Sequence, residues 1–121
     1  MATVITILKI LLGIVFIPIG IMKLSQPIVK LNETLGWIND FSTLFVRVLG
    51  SIELVIGLMM IVPLIVKSIP NSMSAYGALS IVIIMLGACV VHFNRNEFPM
   101  IISNLVILAM AGFIAFKHFY N

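Results

Sequence analysis

Four long apolar stretches divide the chain, and shorter polar segments separate them. A membrane-spanning helix needs about 20 predominantly apolar residues to cross roughly 30 Å of hydrocarbon. The four stretches meet that requirement, and they predict spans at residues 4–24, 42–66, 72–93 and 100–118. Polar turns that contain proline connect the last three spans, at residues 67–71 and 94–99. The pattern predicts an all-α fold, a transmembrane four-helix bundle in which residues 1–121 form a single membrane domain.

A longer and more polar segment, residues 25–40, joins the first two spans, and it is too short and too polar to cross a membrane itself. Its apolar residues recur at helical spacing, at Ile28, Leu31 and Leu35. We therefore expect a short interfacial helix between spans one and two, with Gly36 ending it and Trp37 at the level of the lipid headgroups. Asp40 or Ser42 is then the capping residue of the second span.

The bulk composition favours a membrane environment. Of the 121 residues, 62% are hydrophobic and 9% are charged, and the mean hydropathy is +1.27. A chain of this size cannot bury so much apolar surface in one core, so a lipid bilayer is the expected surrounding. The net charge of +3 is spread along the chain without a basic cluster, which argues against nucleic-acid binding. The single cysteine, Cys89, excludes an internal disulfide and any multi-thiolate metal site, and no metal site is predicted.

Span two carries two charged residues, Arg47 and Glu53, inside an otherwise apolar run. A charge within a membrane span costs about 2.5–3.5 kcal/mol on insertion scales, so its presence favours a functional role. On a helix, Gly50, Glu53 and Gly57 fall on one face. Glycines at this spacing let a neighbouring helix approach closely. We therefore expect the Glu53 face to point into the bundle and not into lipid.

Polar side chains from all four spans converge on one end of the predicted bundle. We call this end the loop side, because it carries residues 25–40 and 94–99. The converging residues are Lys23, Arg47, Glu53, His92 and Asn104. Lys23 ends span one, a position from which lysine side chains commonly reach the interface. The opposite end holds basic residues that we interpret as ordinary flanks of the spans: Lys9, Lys67, Lys117 and His118.

Two interpretations of this cluster compete. In the first, Glu53 is neutralised by Arg47 or Lys23, and the network only fixes the register of the helices. In the second, the five residues line a pocket that is roofed by residues 27–37 and accepts a small polar or amphipathic ligand. The candidate ligand-binding residues are Lys23, Arg47, Glu53, His92 and Asn104, with no catalytic residue assigned. Arg47 is more suited to an electrostatic role than to catalysis, because arginine stays charged.

Three motifs follow one another along the chain: Gly20-x-x-Lys23, Arg47-x-x-Gly50-x-x-Glu53-x-x-x-Gly57 and Gly87-Ala88-x-x-x-His92. This ordered set resembles the pattern of the DoxX-like family of small four-span integral membrane proteins. The resemblance implies a four-helix bundle in the bacterial inner (plasma) membrane, with Lys23, Arg47, Glu53 and His92 as its characteristic residues. It also implies a link to quinone oxidoreductase subunits, although another branch of the family consists of assembly factors for receptor channels. The lone cysteine and the lack of a haem or iron–sulfur ligand set weaken a redox assignment.

The leading hypothesis is a membrane protein that binds a quinone or a similar small molecule beside Glu53 and His92, which exchange protons. The alternative is a non-enzymatic assembly factor or subunit, whose small-residue helix faces dock another membrane protein or a second copy of the chain. A proton-coupled exporter of the small multidrug type fits the length, but those proteins resemble one another in a glutamate on the first helix, where this chain has lysines. The basic residues are divided almost evenly between the two ends, so they do not decide the orientation.

Overall fold

The computed structural model describes residues 2–120. Four long helices account for most of the chain: α1 (Ala2–Ser25), α3 (Thr43–Ile65), α4 (Ser72–Asn94) and α5 (Phe98–Phe119). Two short elements lie between α1 and α3, namely α2 (Ile28–Thr34) and a 3₁₀ helix (Gly36–Asp40). No β-strand occurs among residues 2–120. The all-α fold class is confirmed, and the ends of the long helices fall close to the ends of the predicted spans.

The four long helices are each long and apolar enough to cross a membrane. Between 17% and 33% of the most apolar window of each helix is buried inside the protein. Large apolar side chains such as Ile14, Ile83, Val90 and Ile102 are instead exposed on the outside of the bundle. An apolar exterior of this extent requires lipid as its solvent. The protein is therefore an integral membrane protein.

The long helices form a closed ring in the order α1, α3, α4, α5, with each helix packed against two neighbours. The pairs α1–α3 and α4–α5 are the most closely packed. An apolar core fills the ring, and its fully buried side chains come from all four helices, including Phe16, Met60, Ile81 and Ile114. The bundle is therefore held together by one continuous core.

Glycines explain why α1 and α3 approach so closely. A methyl group at Gly20 would lie 2.6 Å from the backbone nitrogen of Leu54 and 2.7 Å from the carbonyl oxygen of Gly50. A methyl group at Gly50 would lie 2.6 Å from Cβ of Lys23. The glycine face of the second span therefore points into the bundle, as the sequence predicts, and backbone packs there against backbone.

The segment between α1 and α3 differs from the expectation in one detail, the role of Gly36, and it contains one of the two predicted caps of α3. Gly36 does not end a single helix, because α2 already ends at Thr34 and Gly36 begins the 3₁₀ helix. The cap of α3 is Ser42, whose hydroxyl accepts a hydrogen bond from the backbone nitrogen of Phe45 at 3.1 Å. A small second core fixes this segment against α3, with three fully buried residues: Leu31, Ile38 and Val46. We call residues 28–40 the roof, because they cover the loop-side end of the bundle.

Candidate functional site

Lys23 and Glu53 form a buried ion pair at the loop side. The Nζ of Lys23 donates to Oε1 of Glu53 at 2.7 Å, and the two residues are only 5% and 4% exposed. Lys23 does not extend to the interface, as a lysine at the end of a span commonly does, because its side chain turns inward to α3. Gly20 and Gly50 make this contact possible by bringing the two helices together one turn away. Each charge then offsets much of the cost of burying the other.

Arg47 does not take part in this ion pair. One of its guanidinium nitrogens, Nη1, donates to the carbonyl oxygens of Lys23 and Gln26, each at 2.7 Å. Lys23 and Gln26 lie at the C-terminal end of α1, where the last carbonyl groups lack partners within the helix. Arg47 therefore caps α1 and complements the partial negative charge of its end. Among the other four predicted site residues, Arg47 therefore bonds to the backbone of Lys23, and it takes no part in the side-chain contact between Lys23 and Glu53.

His92 is held by a well-defined turn at the end of α4. Asn96 adopts a left-handed conformation with φ of 58°, and the backbone nitrogen of Glu97 donates to the carbonyl oxygen of His92 at 2.8 Å. This arrangement is a Schellman motif, in which asparagine is an accepted alternative to glycine. It brings the Glu97 side chain back to His92, and Oε1 of Glu97 lies 2.8 Å from Nδ1 of the ring. His92 itself is 6% exposed.

The turn is also tied to the roof. Arg95 donates to Asp40 at 2.6 Å through Nη1 and to Glu97 at 3.1 Å through Nε. The hydrogen bond with His92 lowers the pKa of the Glu97 carboxyl below its usual value, and the neighbouring Arg95 charge acts in the same direction. The hydrogen bond with Asp40 raises the pKa of Arg95. Sequence reasoning missed this network, since Asp40, Arg95 and Glu97 are ordinary polar residues of turns.

Asn104 lies one and a half turns into α5, and its amide nitrogen Nδ2 is buried. Among residues 2–120 this nitrogen has no hydrogen-bond partner. A buried donor without a partner costs about 1–3 kcal/mol. The amide group therefore has a free donor to offer to an acceptor that is not part of the chain. The buried Oδ1 of Asn32 also has no hydrogen-bond partner among residues 2–120, but Asn32 lies on the roof helix α2.

A cavity of about 570 Å³ lies beneath the roof and between the four long helices. Four of the five predicted site residues line it, namely Lys23, Glu53, His92 and Asn104. Arg47 does not line it. The volume falls within the range of about 300–1,000 Å³ that is typical of small-molecule sites. We call this space the loop-side cavity.

The rest of the loop-side cavity is apolar and aromatic. Trp37, which belongs to the segment that the sequence predicts as the roof of a pocket, lines the cavity together with Phe16, Phe41 and Phe45. Nζ of Lys23 lies 5.0 Å from the centre of the Trp37 ring, a cation–π contact that joins the roof to the ion pair. Sequence reasoning did not single out these three phenylalanines as site residues. The cavity therefore combines aromatic walls with a few polar groups.

Chemically, these residues offer a buried carboxylate, an imidazole and an amide donor around one apolar space. Among residues 2–120, no three His, Cys, Asp or Glu side chains lie close enough together to hold a metal ion. Cys89, on α4, is half-buried and does not line the cavity. The groups at hand are suited to hydrogen bonding and proton transfer.

A family model identifies the chain. The model described as the DoxX-like family matches residues 7–114. The chain belongs to the DoxX-like family. No curated protein and no solved structure matches it.

Membership of the DoxX-like family agrees with the motifs that the sequence showed. In this DoxX-like protein, Gly20, Gly50 and Gly57 lie where α1 and α3 touch, and Lys23 and Glu53 form the ion pair beside them. His92, which ends the third motif, faces the same cavity from α4. The glycines of the first two motifs therefore pack α1 against α3, and the charged residues beside them form the ion pair. Gly87 of the third motif has no such packing role, because a methyl group added there would meet nothing within 4 Å.

Proposed function

We propose that this DoxX-like protein binds a small amphipathic molecule in the loop-side cavity, and that the ligand class is a quinone. The observation that carries the proposal is the unpaired Nδ2 donor of Asn104 at the wall of a largely aromatic cavity. A quinone combines a flat ring, which aromatic walls accept, with carbonyl oxygens, which accept hydrogen bonds from an amide. When bound, such a ligand would accept and release electrons and protons.

The residues of the chain support a proton-exchange role beside that ligand. Glu53 places a carboxylate at the cavity wall, and Lys23 keeps it in a fixed position. His92 faces the cavity and bonds through Nδ1 to Glu97, whose side chain is 30% exposed. A proton can therefore pass between the loop-side surface and the cavity through Glu97 and His92. The electrons would have to come from a donor outside the chain, since the sequence contains no haem or iron–sulfur ligand set.

The single tryptophan provides a direct test, because Trp37 lines the cavity. The full chain is reconstituted in lipid nanodiscs and titrated with a decyl-substituted benzoquinone, while the fluorescence of Trp37 is recorded. We expect saturable quenching, with decylbenzene as a control for simple partition into lipid. Asn104→Leu and Glu53→Gln should each weaken binding by about tenfold, the effect of losing one good hydrogen bond or charge contact. Quenching that does not saturate, or that both variants leave unchanged, would exclude the cavity as the site.

Redox coupling is tested separately from binding. The same titration with the reduced quinol should give a different affinity, and that difference should depend on pH through Glu53 and His92. If both forms bind equally at every pH, the protein is a ligand-binding protein without redox chemistry. The compartment that we propose is the bacterial inner membrane, which fractionation of the natural host would test.

The non-enzymatic alternative, an assembly factor or subunit, was based on small-residue faces that would dock a partner. The glycines of α1 and α3 are already used inside the bundle, at the contact between these two helices. A methyl group added at Gly112 on α5 would meet nothing within 4 Å, so that helix keeps room for a neighbour. Purification in mild detergent would test this alternative through the recovery of a stoichiometric membrane partner or a second copy.

A further inference from the structure

A second cavity lies at the end of the bundle opposite the roof. Its volume is about 340 Å³, and we call it the opposite-end cavity. Three basic side chains line it, Lys9 from α1 and Lys117 and His118 from α5. Thr6 and Asn71 add polar groups. Within the described range, residues 2–120, no acidic side chain lines it.

Lys9 is the unusual member of this group. It is only 8% exposed, and it has no hydrogen-bond or ion-pair partner among residues 2–120. It lies seven residues after Ala2, which corresponds to about 10 Å along a helix axis. Side chains of a helix lean towards its N-terminus, so Lys9 leans towards the opposite end. A cation at this depth is costly unless a partner accompanies it. Its burial and its lack of a partner distinguish it from an ordinary flanking lysine.

The chain itself cannot supply that partner from its acidic side chains. All four of them lie on the loop side: Glu33, Asp40, Glu53 and Glu97. The opposite end has a further cation, Lys67, whose Nζ bonds to the carbonyl oxygen of Leu64 at 3.2 Å. The opposite end therefore carries a purely positive set of side chains. An anion from outside the chain would complement it.

We propose that the opposite-end cavity binds a phosphate group, with Lys9 as its main ligand and Lys117 and His118 as further donors. A phosphate has several acceptor oxygens, which lysine contacts as a point charge from different directions. Basic pockets between membrane helices are suited to the headgroups of anionic lipids. The phosphate belongs either to such a headgroup or to free inorganic phosphate. This site is separate from the loop-side cavity, and it does not depend on the function proposed for that cavity.

Native mass spectrometry of the full chain tests the proposal. The protein is purified in mild detergent and supplied with phosphatidylglycerol or phosphatidylcholine. We expect it to retain phosphatidylglycerol in preference, and Lys9→Met to weaken retention about fivefold or more, which is the factor that corresponds to about 1 kcal/mol per lysine. Lys67→Met is the matched control, because it removes the same charge from the same end but Lys67 does not line the cavity. Equal losses in the two variants, or no lipid preference, would overturn the proposal.

Competition separates the two sources of phosphate. If inorganic phosphate displaces phosphatidylglycerol, the phosphate group alone is sufficient for binding. If the lipid stays bound at high phosphate concentration, the ligand is an anionic headgroup with its acyl chains. Failure of both probes to bind the wild-type protein would exclude the site. If Lys9→Met fails to fold, two other variants make the same comparison. Lys117→Met should weaken the retention of phosphatidylglycerol, and Lys9→Arg, which keeps the charge, should preserve it.

Discussion

Lys23 and Glu53 are 30 residues apart in the sequence, and their side chains meet at 2.7 Å inside the membrane-spanning bundle. The lysine comes from the C-terminal end of α1 and the glutamate from the middle of α3. Both line the loop-side cavity, and Lys23 also contacts the ring of Trp37 in the roof. The ion pair therefore links the packing of two helices, the wall of the cavity and the cover above it.

Removing one partner of this pair should cost more than removing both. Lys23→Met leaves the Glu53 carboxylate buried without its partner, and we expect a loss of about 3–5 kcal/mol in unfolding free energy. The double variant Lys23→Met/Glu53→Met removes both charges and should recover most of that loss. Chemical unfolding of both single variants and the double variant in detergent measures the coupling. Additive effects would mean that the two charges are solvated independently.

Arg47 should prove to be a stabilising residue that ligand binding does not need. Arg47→Met removes two charged hydrogen bonds to the end of α1, which we expect to cost about 1.5–3 kcal/mol of stability for each strong bond. The affinity for a benzoquinone, measured by Trp37 fluorescence, should stay within about twofold, because the loop-side cavity does not include Arg47. A tenfold loss of affinity in a folded Arg47→Met protein would show that Arg47 does contribute to ligand binding.

The contact between α1 and α3 should not tolerate even a methyl group. Gly20→Ala would place one within 2.9 Å of three backbone atoms, and we expect a loss of about 1–3 kcal/mol or more, because backbone cannot move aside as a side chain can. Gly112→Ala is the matched control in α5, where the added methyl group meets nothing within 4 Å. It should be neutral or stabilising by up to about 1 kcal/mol. Thermal unfolding compares the two, and similar losses would exclude close packing as the cause.

The sequence predicted the helical fold because length and apolarity alone decide which segments span a membrane. It also predicted the inward face of α3, since Gly50, Glu53 and Gly57 share one side of a helix whatever the neighbours are. It left open whether Arg47 or Lys23 neutralises Glu53, because both lie at a compatible depth. The choice depends on where α1 ends, which places the carbonyl groups of Lys23 and Gln26 next to Arg47.

Other parts of the site depend on tertiary contacts that carry no local signal. Glu97 reaches His92 because Asn96 adopts a left-handed conformation, and Asp40 meets Arg95 across 55 residues of sequence. Lys9 looks like a flanking lysine in the sequence, but the structure shows that it is only 8% exposed. Periodicity identifies the inward face of a helix, but it does not identify which side chain of a neighbouring element that face contacts.

The turn after α4 should weaken in acid. The hydrogen bond with His92 lowers the pKa of Glu97 from its ordinary value of 4.5, so the stabilisation from the ionised carboxylate is complete above that value. It is lost as the pH falls through the lower pKa of the folded state. Carboxyl resonances in an NMR titration should give Glu97 a midpoint below 4.5, and His92→Leu should move that midpoint upward. A midpoint that His92→Leu leaves unchanged would show that the ring does not bond to the carboxylate in solution.

Asn104 should show opposite effects on stability and on binding. Its unpaired Nδ2 lowers the stability of the ligand-free protein, so Asn104→Leu should raise the unfolding free energy by up to about 1–3 kcal/mol. The same change removes the donor that we assign to the ligand, and the same concentration of a decyl-substituted benzoquinone should then raise the melting temperature less than it does in the wild-type protein. Ser103→Ala is the control, since Ser103 is exposed on the neighbouring position of α5 and does not line the cavity. If Asn104→Leu instead lowers the stability of the ligand-free protein, the amide must already have a structural partner. The argument for a bound acceptor would then fail.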